Sequence, residues 1–355
     1  MTHEHHWPAI LESLLERDDL SVSQADWAMQ QFMTGAATPA QLGAFLVALQ
    51  AKGVTVDEIV GFRDAILAAA LEVNLPALSL DIVGTGGDRH GTVNVSTMAA
   101  IVCAAAGAPV VKHGNRAASS KSGSSDVLTA LGIDLALDGE QLARAFDQAG
   151  IAFVNAARFL PGFRHVAPVR KELGIQTVFN YLGPLCNPVR PEATAAGVAD
   201  ASRAPLFADL FRVRGANALV FRGDDGLDEL TTTGHSRIWE VSRGALTEHD
   251  LDPRDLGIAR ASIEDLLGDT PEHNARIARR VLGGETGPVR DIVLLNAAAG
   301  LVAFDLVGRP ESFEEPILER LERKLRIAAE AIDSGAATER LARWSEATAA
   351  AAGAD

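Results

Sequence analysis

Lys112, His113, Arg116 and Lys121 crowd into KHGNRAASSKSGSSD, residues 112–126, within a chain whose formal net charge is −15. The stretch follows the apolar run APVV, carries five serines, and has no aliphatic side chain larger than alanine. A solvated loop needs only serine and glycine and gains nothing from gathered cations. Hydroxyl and amide donors beside positive charge suit a highly charged anion such as a phosphate ester. The donors are Lys112, His113, Asn115, Arg116, Ser119, Ser120 and Ser124. A second anion-binding pattern is DIVGTGGDRHGTVNVST, residues 81–97. Gly84, Gly86 and Gly87 at the end of an apolar run let backbone N–H groups approach a ligand closely, and Asp88 follows. Asn94, Ser96 and Thr97 then open a helix, where free amides and the dipole favour phosphate. The pattern is neither a Walker loop nor GxGxxG, so no nucleotide fingerprint applies.

Two further groups carry charge. In GDDGLDELTTTG, residues 223–234, Asp224, Asp225, Asp228 and Glu229 share one loop. Carboxylates this close repel unless water or a cation neutralises them, and hard oxygen donors suit Mg²⁺. Alone, this is an acidic surface turn. Beside two phosphate-type loops, it reads as a Mg²⁺ site bridging to a diphosphate, with Asp228 and Glu229 as ligands. In RHVAPVRKELG, Arg170 and Lys171 fall on a helix; either could hold a carboxylate, and a solvated helix face fits the spacing equally well.

The elements that must position these groups change character along the chain. Residues 1–75 read as helices: Leu42, Phe45, Leu46 and Leu49 repeat with helical spacing, Pro39 sits in an opening turn, and Thr55 with Glu58 makes a capping-box pattern. LEVNLPAL, around Pro76, reads as a linker. From Leu78, strands LSLDIVG, APVVK, IDLAL and IAFV alternate with helices, as in parallel βαβ units. AAGV, NALVFR and RIWEV resume the strands after an interruption at residues 160–190. The C-terminal third adds helices GPVRDIVLLNAAAGLVAF and PILERLERKLRIAAEAI. The predicted fold is α/β: a small N-terminal helical domain (1–75, plus about 165–190) and a large α/β domain (78–160 and 193–345) with a central, mainly parallel sheet. Residues 346–355 read as a frayed tail.

Composition narrows the function. Hydrophobic residues make up 47% of the 355, enough for a sizeable core. The acidic balance argues against nucleic acid or an anionic membrane as partner. No run of about 20 apolar residues suggests a membrane span, and the N-terminus has no apolar signal core. Cys103 and Cys186 lie in apolar surroundings and read as buried thiols of a cytoplasmic protein.

Taken together, GTGGD, NVST, KHGNRAASSKSGSSDVLTALG, VRKELG, FNYLGPLCNP and DELTTTG occur in an order and spacing that resembles the anthranilate phosphoribosyltransferases of tryptophan biosynthesis, over essentially the whole chain. Nucleoside phosphorylases share the architecture, but KHGNR with LGPLCNP fits the anthranilate branch better. The resemblance implies transfer of phosphoribose from 5-phosphoribosyl-1-diphosphate to the amino group of anthranilate, with Mg²⁺ (two per subunit) and a homodimer joined through the helical domains. It assigns the sugar diphosphate to Gly84, Gly87, Asp88, Thr92, Asn94, Val95, Ser96, Thr97, Lys112, His113, Gly114, Asn115, Arg116, Ala117, Ala118, Ser119, Ser120 and Ser124. It assigns Mg²⁺ to Ser96, Asp228 and Glu229, catalysis to Lys112 and Asp88, and the acceptor to Gly84, Asn115, Leu160, Phe163 and Arg170.

One segment departs from the family. NAARFLPGFRH has Asn155 for an aromatic, Ala157 for a proline, an added cation at Arg158, and Leu160 where the family carries a histidine near anthranilate. The departure implies a remodelled acceptor pocket, and hence the alternative of a related transferase or phosphorylase using another aromatic acceptor. A non-catalytic nucleic-acid-binding relative is disfavoured by the acidic balance and by Asp228–Glu229. In the implied reaction diphosphate leaves C1 of the ribose, so stabilising the leaving group matters more than a strong base. No Ser–His–Asp or Cys–His pattern supports a covalent intermediate. Closure about the Pro76 linker and residues 155–165 is expected to exclude water.

Overall fold

The computed structural model describes residues 5–115 and 121–353. The chain divides into two compact units, Met1–Glu72 with Ala156–Pro188, and Val73–Asn155 with Val189–Asp355. The first begins with four helices, α1 (Trp7–Leu15), α2 (Val22–Thr34), α3 (Pro39–Lys52) and α4 (Val56–Ala68). Phe32, Phe45 and Phe62 are fully buried and meet edge to face, forming the centre of this bundle. The Thr55–Glu58 capping box starts α4: Thr55 N–H donates to Glu58 Oε2 at 2.9 Å. Glu58 is buried because its other oxygen accepts the Leu20 N–H at 3.0 Å while Lys52 balances its charge.

The second unit then runs β1 (Leu80–Gly84), α5 (Val95–Ala105), β2 (Val110–Gly114), α6 (Ser124–Leu131), α7 (Gly139–Ala149) and β3 (Ile151–Asn155). The chain next supplies α8 (Ala156–Phe159), α9 (Phe163–Leu173) and α10 (Phe179–Leu182) to the helical unit. It finishes with β4 (Ala193–Gly197), α11 (Ala204–Val213), β5 (Asn217–Gly223), β6 (Ser236–Ser242), β7 (Ala245–Leu251), α12 (Pro271–Leu282), α13 (Pro288–Gly308), α14 (Ile317–Asp333) and α15 (Ala336–Ala352).

The sheet has the order β3-β2-β1-β4-β5-β6-β7, parallel from β3 to β5 and antiparallel beyond. Its parallel strands read as continuous apolar runs because helices cover both faces. α13 is long and apolar enough to cross a bilayer, yet it packs on β1, β4, β5, α5 and α14, and 72% of its apolar window is buried. It is a core helix. The chain lays β2 and β3 on one side of β1 and then returns to lay β4 on the other. The carboxyl ends of β1 and β4 therefore form a topological switch point, the usual ligand crevice of an open α/β sheet.

Three sequence expectations change. IDLAL is not a strand: the Asp134 N–H is taken by Thr348 Oγ1 and the Ala136 N–H by the Asp134 carboxylate, so no ladder forms. Residues 346–352 are not a frayed tail but the end of α15, which packs on α7 and buries Ala347 and Ala351. Residues 156–160, read with the α/β domain, belong to the helical unit, where the Leu71 N–H donates to the Phe159 carbonyl.

Candidate active site

At the switch point Gly84 and Gly197 are direct partners across β1 and β4. The acidic loop lies over both. A Cβ on Gly84 would overlap the Asp228 carboxylate, and one on Gly197 the Asp228 carbonyl. Glycine here serves close approach. The Gly86 N–H donates to Asp228 Oδ2 at 2.7 Å, and His90 Nε2 donates to the Asp225 carbonyl at 3.0 Å, tying the glycine-rich loop to the acidic one. The acidic loop divides by role. Asp225 is spent internally, accepting from Thr231 Oγ1 (2.6 Å), Thr233 Oγ1 (2.5 Å) and the Leu227 N–H (3.0 Å). Asp224 is exposed. Asp228 and Glu229 face the switch point.

Their electrostatics point to a cation. Burial, then repulsion from Asp88, raises the Asp228 carboxyl to about 6. Burial and Asp228 push Glu229 well above the usual carboxylate range, although Lys112 and the Ser96 N–H oppose the shift. Asp88 is also raised, chiefly by burial. Burial holds Lys112 below its ordinary value against the pull of Asp81, Glu229 and Asp228. Lys112 is 1% exposed, and its ammonium donates to the Ile82 carbonyl and, at 3.3 Å, to Ser96 Oγ. Asp228 and Glu229 thus repel each other and Asp88, and Lys112 only partly offsets this, an excess of negative charge that a divalent cation relieves. Among the described residues no group of three His, Cys, Asp or Glu side chains stands in ligating geometry. The oxygens that the sequence singled out for Mg²⁺, those of Asp228, Glu229 and Ser96, are too few for a full shell, and a hard cation bound here would need substrate oxygens or water as well.

The start of α5 supplies anion chemistry. The Ser96 N–H is directed at Glu229, and Thr97 Oγ1 is buried without a hydrogen-bond partner. Val95 is core, so it offers only its backbone; Thr92 bridges to Leu267. Gly87 is exposed with φ +84°. On β2 the buried His113 donates its N–H to Asp81 Oδ1 at 3.0 Å, and Gly114 ends the strand. Asn115 is exposed, its carbonyl accepting the Ser125 N–H at 3.3 Å, and Ser124 opens α6. Arg116, Ala117, Ala118, Ser119 and Ser120 lie outside the described residues. Asn296, not singled out by any motif, is fully buried on α13 and brackets Leu230. It accepts the Leu230 N–H and donates to the Leu230 carbonyl, both at 2.9 Å, fixing the residue next to Glu229.

In the helical unit, Arg170 and Phe163 both meet Phe179. The guanidinium lies 5.5 Å from the Phe179 ring centroid, and Phe163 packs on that ring edge to face at 5.7 Å. Burial lowers Arg170 from its ordinary value, and its Nη2 donates to Asn180 Oδ1 at 3.5 Å. A guanidinium on one ring of an aromatic pair suits an aromatic carboxylate. Phe179 and Asn180 stand in FNYLG, where no local pattern marks either of them as functional. Lys171 is exposed, and Leu160 is buried.

A helical bundle with an α/β sheet, whose switch point carries paired carboxylates under a helix N-terminus, defines a two-domain glycosyltransferase. The family model of the glycosyl transferase α/β domain matches residues 77–338, and that of its helical bundle domain residues 8–70. The anthranilate phosphoribosyltransferase of Leifsonia xyli is 62% identical over 98% of this chain and 100% of its own. That of an Arthrobacter strain is 54% identical over 95% of each. Among solved structures, the Thermus thermophilus anthranilate phosphoribosyltransferase superposes with TM-score 0.86 at 40% identity, covering 96% of this chain and 99% of that one. The Saccharomyces cerevisiae enzyme in complex with PRPP and Mg gives 0.86 at 28%, covering 97% and 98%. The chain belongs to the anthranilate phosphoribosyltransferase family.

Proposed function

We infer that this protein transfers the phosphoribosyl group of 5-phosphoribosyl-1-diphosphate to the amino group of anthranilate, releasing diphosphate, a step of tryptophan biosynthesis. The observation that carries the reading is the Asp228–Glu229 pair, tied to the glycine-rich loop and coupled to Lys112, in a chain so similar to named anthranilate phosphoribosyltransferases. The sugar diphosphate is assigned to the Gly84–Asp88 loop, the start of α5, and the segment from Lys112 to Ser124. Asp228, Glu229 and Ser96 would hold Mg²⁺, two ions per subunit, and bound Mg²⁺ neutralises the charge of the departing diphosphate. Lys112 and Asp88 are the residues we assign to catalysis. The Lys112 ammonium keeps positive charge at the carboxylates as the leaving group departs, and Asp88 adds the third negative charge that draws in a cation. Arg170 pairs with the acceptor carboxylate, and Phe163 and Phe179 offer faces to its ring. The working form is a homodimer in the cytoplasm.

Leu160, with the changes at Asn155, Ala157 and Arg158, favours a different aromatic acceptor; its side chain is buried. The test is direct. Purified protein with Mg²⁺, 5-phosphoribosyl-1-diphosphate and anthranilate should consume anthranilate and release diphosphate in equal amounts, and chelation of the metal should stop both. Diphosphate release with another aromatic acid, but none with anthranilate, would transfer the assignment to that acceptor.

A further inference from the structure

The side chain of Asn94, at the N-cap position of α5, makes no capping bond to its own helix. It is held instead by Asn274, 3% exposed on α12. Asn274 Nδ2 donates to Asn94 Oδ1 at 2.9 Å, and Asn94 Nδ2 donates to the Ser122 carbonyl at 3.2 Å. The polarity of this relay is set at both ends by backbone groups that cannot reverse. The Asp269 N–H donates to Asn274 Oδ1 at 2.8 Å, so Nδ2 must be the atom Asn274 turns to Asn94. That makes Asn94 Oδ1 the acceptor, shared with Ser122 Oγ at 3.5 Å, and leaves its second N–H as the group available to a ligand. The backbone on both sides is fixed too: the Val93 N–H donates to the Leu266 carbonyl and the Gly268 N–H to the Gly91 carbonyl, both at 2.9 Å. A Cβ on Gly268 would press on the Asn274 amide.

We infer that Asn274 is a positioning residue that locks the amide of Asn94 so that it presents a donor, not an acceptor, to the phosphate oxygens of the sugar substrate. The inference rests on the assignment of Asn94 to the sugar-diphosphate site. With Asn274 gone, Asn94 Oδ1 loses its main donor and only Ser122 still holds the amide, so the amide can rotate about that contact and its second N–H is no longer aimed at the anion.

The experiment is a double-mutant cycle on the full-length protein, read as the Kd for Mg²⁺-5-phosphoribosyl-1-diphosphate by calorimetry. Asn94→Ala and Asn274→Ala should each weaken binding about tenfold or more, the size of a lost hydrogen bond to a charged group. In the Asn94→Ala background, Asn274→Ala should add nothing further. Asn274→Asp keeps an oxygen for the Asp269 N–H and covers the case in which the alanine variant does not fold; its effect on Kd should also shrink in the Asn94→Ala background. Equal losses in both backgrounds would overturn the inference, as would a lowered Tm with unchanged Kd. An unchanged Kd for Asn94→Ala would remove the site assignment along with it.

Discussion

The Gly86 amide and the Asp228 carboxylate, 142 residues apart in sequence, are joined by a 2.7 Å hydrogen bond. It fixes one carboxylate oxygen against the glycine-rich loop, and on the function proposed above the other oxygen serves a cation. Asp228→Asn keeps an oxygen for Gly86 but removes the charge. We expect kcat/KM to fall about a hundredfold or more, with the protein still folded. The Mg²⁺ dependence of the steady-state rate checks this. A variant with unaltered Mg²⁺ dependence would exclude Asp228 as a ligand.

Gly197 tests the same geometry from the sheet side. Its backbone does not need the left-handed region; the constraint is steric, because a Cβ would occupy the place of the Asp228 carbonyl. Gly197→Ala should displace the acidic loop, cost about 1–3 kcal/mol in urea denaturation, and weaken Mg²⁺-substrate binding as well. Loss of stability with full activity would show that the loop does not have to sit there.

Arg170, stacked on Phe179, is where the proposed acceptor assignment can be tested apart from the donor site. Arg170→Ala should raise the KM for anthranilate about tenfold or more, the size of a charged hydrogen bond, while the KM for the sugar diphosphate stays put. Arg170→Lys should restore little, since lysine lacks the planar fork. Equal shifts in both KM values would mean that the residue acts on the fold.

The parts of this site that sequence revealed are those written in local pattern. Gly84, Gly87 and Asp88 follow a strand, Asn94 to Thr97 open a helix, and Asp228 and Glu229 are adjacent; each signal spans a few residues. The separation of Asp225 from Asp228 was not readable, because it depends on which hydroxyls the loop folds onto them. Asn274 and Asn296 were invisible for a similar reason: a lone amide in a helix carries no motif, and its partner is distant in sequence. In the fold, apolar runs located the parallel strands, whereas β7 was missed because ALTEHDL is an edge strand with mostly solvent-facing side chains and no apolar alternation. IDLAL misled in the opposite sense. Its apolar residues Ile133 and Leu137 are buried, but its backbone is satisfied by side chains and not by a neighbouring strand.

Away from the site, Glu240 on β6 and Arg320 on α14 form a fully buried pair, with Oε1–Nη1 and Oε2–Nη2 distances of 2.5 and 2.7 Å, and His249 reaches Glu240 Oε2 at 3.0 Å. Burial alone would raise the Glu240 carboxyl. The hydrogen bonds from His249 and Arg320 outweigh it and hold the group below its ordinary value. A depressed carboxyl adds stability above its unfolded pKa, and that contribution fades as pH falls through the folded value. Removing one partner reverses the sign. In Arg320→Met a buried carboxylate is left without its cation, so its pKa rises and the folded state binds a proton more readily than the unfolded chain. We expect a loss of about 3–5 kcal/mol at neutral pH, shrinking as the pH is lowered toward 4 and Glu240 becomes neutral. Glu240→Gln with Arg320→Met removes both charges and should cost less than Arg320→Met alone. Urea denaturation of the three proteins at pH 5 and pH 7.5 decides the matter; a loss that does not change with pH, or a double variant weaker than the single one, would show that packing and not charge sets the contribution of this pair.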